Sequence, residues 1–91
     1  MYFLYILYYE GRILPMRLKD IREDHDYTQK YVADLLFIKQ NTYSQYETGQ
    51  RQIPLDFLVK LAMIYDTSTD YILGITNEKK PYPRNEEYVV E

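Results

Sequence analysis

Gln40, Asn41, Ser44 and Gln45 fall at one-, three- and four-residue spacings, which on a helix gathers them on one polar face. Gln and Asn amides carry a donor beside an acceptor, the pairing that meets the edge of adenine bidentately in a major groove. A row of uncharged amides suits reading base edges, whereas the Thr42 hydroxyl, the Gln50 amide and the cations Lys30, Lys39 and Arg51 around it suit the phosphate backbone. Taken alone, such a face is most often simply solvated. Catalytic chemistry finds no footing: three glycines form no phosphate-cradling loop, no metal cluster stands out, and no nucleophile lies beside a base. The lone His25 sits among Glu23, Asp24 and Asp26 and reads as a solvated loop residue, not a ligand or a general base. The expectation is a chain without enzymatic activity, cofactor or metal.

Five short helices are expected to position these residues. The first runs from about Met16 to Asp24 with Leu18 and Ile21 inward. The second opens on Thr28 as N-cap and turns Val32, Leu35 and Leu36 to one face, with Ala33 small enough for a neighbour to approach. The third covers about Gln40 to Glu47, with Tyr43 and Tyr46 as core aromatics on its inner side, and Gly49 stops it. The fourth starts with Pro54 at its first position, carries Asp56 in its first turn, packs Leu58, Leu61 and Ala62 inward, and ends near Tyr65-Asp66. The fifth is capped by Ser68, buries Tyr71 or Leu73, and stops at Gly74.

Composition divides the chain into an apolar arm (1–15), a helical unit (16–77) and a polar tail (78–91). The arm, Tyr2-Phe3-Leu4-Tyr5-Ile6-Leu7-Tyr8-Tyr9, is rich in strand formers and reads as a strand. Its two faces, Tyr2-Leu4-Ile6-Tyr8 and Phe3-Tyr5-Leu7-Tyr9, are both apolar, so pairing with a second arm or with Tyr88-Val89-Val90 would make it an oligomerisation element. Nine apolar residues fall short of the roughly 20 that a membrane helix needs, and the features of a secretory signal are missing. The tail, with Pro81 and Pro83 among charges, should be extended.

With 91 residues the chain makes one domain, too small for a large enclosed active site. The 46% hydrophobic fraction is inflated by 12 Tyr, and the absence of cysteine suits a reducing cytoplasm. A net charge of −3 speaks mildly against a polyanionic partner, and residues 16–77 carry seven Lys/Arg against nine Asp/Glu. Any DNA face must therefore come from segregating those cations to one side.

The connection Phe37-Ile38-Lys39 between the second and third helices is as short as a helix-turn-helix requires. The runs Thr28-Gln29-Lys30-Tyr31-Val32-Ala33, Tyr43-Ser44-Gln45-Tyr46-Glu47-Thr48-Gly49 and Ser68-Thr69-Asp70-Tyr71-Ile72-Leu73-Gly74, in this order and spacing, resemble the lambda-repressor-like (Cro-type) helix-turn-helix family over residues 16–77. The resemblance implies an all-α, compact five-helix fold, here with an N-terminal strand arm and an extended C-terminal tail. It implies that Gln29 bonds a phosphate and braces the start of the recognition helix, and that Arg22 and Glu47 pair to lock that helix to its scaffold. It also implies double-stranded DNA as partner and a transcriptional regulator, a repressor binding an inverted repeat as a homodimer. An antitoxin that autoregulates its operon while its arm or tail grips a toxin is an alternative, as is a protein-interaction module that has lost DNA binding. Two residues depart from the family: Phe37 stands where glycine is usual and should strain or remodel the turn, and Lys39 replaces a capping Ser or Thr.

Overall fold

The computed structural model describes residues 16–85. The arm and the stretch Tyr88-Val89-Val90, with the strands expected there, lie outside the described residues. Five helices follow in order: α1 (Leu18–Asp24), α2 (Gln29–Leu35), α3 (Gln40–Thr48), α4 (Leu55–Ile64) and α5 (Thr69–Leu73). Among the described residues there is no strand, and none of the helices is long and apolar enough to cross a membrane.

The helices start where the side chains can satisfy orphan backbone donors. Thr28 accepts from the Tyr31 amide and Ser68 from the Tyr71 amide, each at 3.0 Å. Pro54 is itself the N-cap of α4, in an extended conformation, and not the first helical residue as the sequence implied. That shift of one residue still places its missing N–H where no intrahelical bond is needed. Likewise α1 begins at Leu18, two residues later than expected, because Arg17 is not helical and its amide donates to the Ile72 carbonyl at 2.8 Å.

One side of each helix closes on a single core of Leu18, Ile21, Val32, Ala33, Leu36, Tyr43, Tyr46, Ile53, Leu58, Leu61, Ala62, Tyr65 and Ile72. In α5 the buried residue is Ile72, not Tyr71 or Leu73. Tyr71 and Leu73 are half-buried against the edge of that core, and the Tyr71 ring also carries the Arg17 guanidinium, 4.2 Å from its centroid. Arg17 also donates to the carbonyls of Tyr71 (2.7 Å) and Thr76 (2.6 Å) and to Asn77 Oδ1 (2.6 Å), tying the start of the described chain to the end of α5.

Residues 78–85 carry no helix or strand, and they are fastened to the helical unit. Thr67 donates its hydroxyl to the Lys79 carbonyl at 2.6 Å, Tyr82 donates to Asp70 at 3.0 Å, and Arg84 reaches the Thr67 carbonyl at 3.0 Å, with Asp66 at 3.3 Å. Arg84 thereby puts a cation against the C-terminal end of α4, where the helix dipole is negative.

Candidate nucleic-acid interface

α3 packs on α2 and α1. Tyr43 and Tyr46 are buried on its inner side, while Gln40 and Asn41 are exposed and Ser44 and Gln45 half-exposed on the other. The four amide and hydroxyl side chains thus share one accessible surface at and beyond the N-terminal end of the helix. Lys39 lies just ahead of them, extended at the N-cap without a side-chain capping bond, and Arg51 is exposed beyond the far end. Neither cation forms an ion pair among the described residues. Thr42 is half-exposed and Gln50 exposed, on the same flanks. Lys30 differs, since on the outside of α2 it pairs with Asp34 at 3.2 Å, an exposed contact that a phosphate can readily displace.

The last turn of α3 is locked to the scaffold. Arg22 Nε donates to Glu47 Oε2 at 2.7 Å and Nη2 to Oε1 at 3.2 Å, a bidentate pair whose side chains are only 11% and 3% exposed. The third reach of the same guanidinium, Nη1 to the Tyr27 carbonyl at 2.8 Å, extends the lock to the α1–α2 connection. Burial pushes the Glu47 carboxyl up, but hydrogen bonds from Arg22 and Gln29 and the Arg22 charge outweigh it and hold the group below the ordinary carboxylate range. Gln29 Nε2 donates to Glu47 Oε1 at 3.1 Å. Gln29 therefore braces the end of α3 and not its start, and its amide keeps a second N–H for another acceptor. The hydroxyls of Tyr43 and Tyr65 are buried as well. Burial first pushes both phenols well above their usual range, and the Glu47 carboxylate adds to it, at Tyr43 as a hydrogen-bond acceptor and a charge and at Tyr65 as a charge.

The turn between α2 and α3 keeps its regular geometry despite Phe37. Phe37 takes φ 59°, its amide donates to Asp34 O at 3.1 Å and the Ile38 amide to Ala33 O at 3.0 Å. These two bonds are the closing pair of a Schellman ending, so the bulky residue is strained into the place of a glycine while the turn is not remodelled.

His25 is exposed in the α1–α2 connection, its Nδ1 2.9 Å from the Ile21 carbonyl and its ring 4.9 Å from that of Tyr65. Among the described residues no group of His, Asp or Glu is arranged to hold a metal ion. Sequence reasoning missed the anchoring roles of Arg17 and Arg84, whose carbonyl partners leave no mark in any residue pattern. It also missed the Gln29–Glu47 bond, for which two polar residues 18 positions apart give no signal.

Two helices joined by a four-residue turn, residues 36–39, the second with a buried aromatic side and a free amide side, define a helix-turn-helix protein. The helix-turn-helix family model matches residues 18–72, and the chain belongs to this family, in its lambda-repressor-like form. It is similar to the HTH-type transcriptional regulator YobD of Bacillus subtilis (strain 168), 42% identical over 65 residues, 71% of this chain and 58% of that protein. AnsR of the same organism, also an HTH-type transcriptional regulator, is 38% identical over 75% of this chain and 59% of its own length. ImmR, a third from that organism, is 46% identical over 67% of this chain and 48% of its own length. The chain thus spans between 48% and 59% of the length of these relatives. No solved structure matches it significantly.

Proposed function

We propose that the chain is a sequence-specific DNA-binding transcriptional regulator that works in the cytoplasm as a homodimeric repressor on an inverted repeat. The observation that carries this reading is α3 itself: Tyr43 and Tyr46 bury one side and the Arg22–Glu47 pair fixes its end. Gln40, Asn41, Ser44 and Gln45 are left free to meet base edges. Residues 16–77 form the reading unit in this proposal. Lys39, Thr42, Gln50 and Arg51 flank the amide face as phosphate contacts, with Lys30 and the spare Gln29 N–H beside them. Two copies would set their α3 helices in successive major grooves about 34 Å apart and exclude polymerase by occupancy. The names of YobD, AnsR and ImmR as transcriptional regulators support the same reading.

Selection of bound duplexes from a random pool tests it, with an inverted repeat as the expected product. Gln40→Ala or Gln45→Ala is expected to lose about 1–3 kcal/mol of discrimination at one base position while keeping non-specific affinity. Equal losses on selected and random DNA would overturn the base-reading assignment.

The net charge of −3 favours a second reading, a module that binds protein in place of DNA, or an antitoxin that binds both. Absence of any retention of mixed-sequence duplex at low salt would decide for the protein-binding module.

A further inference from the structure

All five helices end on a residue in the left-handed region: Asp26 at φ 57°, Phe37 at 59°, Gly49 at 83°, Asp66 at 52° and Gly74 at 83°. Glycine has no Cβ to clash there, and Asp tolerates the conformation because its short polar side chain can bond locally. Phe37 alone is bulky and aromatic. The residue is 86% exposed, so burial returns little for the backbone strain. A position that opposes both backbone preference and burial is where a sequence gives up stability for another purpose.

The ring does have one partner. Lys60, from the middle of α4, places its ammonium 4.9 Å from the Phe37 centroid. Lys60 is half-buried, and it forms no ion pair among the described residues. Phe37 stands two residues ahead of Lys39, at the turn from which α3 sets out with Gln40 and Asn41. The strained aromatic thus holds an un-neutralised cation beside the end of the helix that presents the amides.

We propose that Lys60 is a phosphate contact at the recognition turn and that Phe37 is its positioning residue, the ring restricting the lysine rotamers so that less freedom is lost when a phosphate arrives. The proposal rests on the reading of α3 as a DNA-reading helix. The ring covers one side of the ammonium and leaves the other to a phosphate oxygen, and a cation held in place beforehand binds with a smaller entropic penalty than a free one. The family's usual glycine at this turn offers no such platform, so the contact belongs to this chain's own departure from the pattern.

The test is the salt dependence of binding to a mixed-sequence duplex, read by fluorescence anisotropy, alongside urea midpoints. Lys60→Gln is expected to lower the slope of log affinity against log salt by about one unit. Phe37→Gly is expected to raise the urea midpoint, because the strain is relieved, and yet to weaken binding several-fold. Phe37→Leu keeps the strained backbone without an aromatic face, so it should bind like the glycine variant while showing no gain in midpoint. Combining Phe37→Gly with Lys60→Gln should weaken binding no further than Lys60→Gln alone. Wild-type binding with an unchanged slope in Lys60→Gln, or undiminished affinity in Phe37→Gly, would overturn the proposal and leave the DNA reading standing. Failure of the wild-type chain to bind duplex at low salt would overturn both.

Discussion

At the scale of the residue, the Arg22–Glu47 pair decides more than any other contact. A carboxylate with 3% of its side chain exposed is tolerable only because two guanidinium nitrogens and the Gln29 amide surround it. Removing Arg22 strands that charge, and Arg22→Ala is expected to lose on the order of 3 kcal/mol. The Glu47→Ala loss should overlap with it, so that the double variant loses less than the sum in urea melts; additive losses would show the two side chains to be energetically independent. The pair also sets an acid limb. Glu47 is held below the usual range when folded, so the folded chain binds fewer protons than the unfolded one as the pH falls past the free glutamate value of about 4.3. Its contribution is complete above that value and disappears as the pH drops through the folded one. Glu47→Gln should flatten this part of a stability profile taken between pH 3 and 6, and an acid limb of unchanged steepness would count against it.

Among the elements, α3 is built with an opposed N-terminus. Lys39 occupies its N-cap, extended but with no capping hydrogen bond, and puts a positive charge at the positive end of the helix dipole. By contrast α2 and α5 open on hydroxyl caps. Lys39→Ser should therefore stabilise the fold by about 1 kcal/mol, and if Lys39 touches phosphate it should also lower the salt slope of DNA binding by about one unit. A stabilised variant with an unaltered slope would assign Lys39 no part in binding.

For the molecule as a whole, the two ends of the helical unit are held by arginines. Arg17 ties its start to the end of α5, and Arg84 ties the tail to the corner between α4 and α5. The Arg84–Asp66 ion pair and the Tyr82–Asp70 hydrogen bond are exposed, and the Arg84 bonds to the carbonyls of Ala62 and Thr67 are part-buried, each worth about 1 kcal/mol. Arg84→Ala is thus expected to lower the urea midpoint only modestly while tryptic cleavage after Lys79 accelerates several-fold; a cleavage rate equal to wild type would show that Arg84 does not hold the tail. The apolar arm, whose two faces are both hydrophobic in sequence, is expected to drive association. Comparing a chain that begins at Met16 with the full chain by sedimentation checks this, and an unchanged dimer dissociation constant would refute it.

Caps, glycines and helical spacing marked the existence and order of all five helices, because those signals act between residues within one or two turns. They also singled out Gln40, Asn41, Ser44 and Gln45, since a polar face is a local periodic pattern, and family resemblance supplied the partners Arg22 and Glu47. Burial at Ile72 in place of Tyr71, the bracing of the end of α3 by Gln29, and the perch of Lys60 on Phe37 were decided only in the folded chain. Each depends on which surfaces of separate helices meet. An aromatic at a left-handed turn reads locally as a defect; the tertiary packing, by bringing α4 alongside it, turns that defect into a place for a charge.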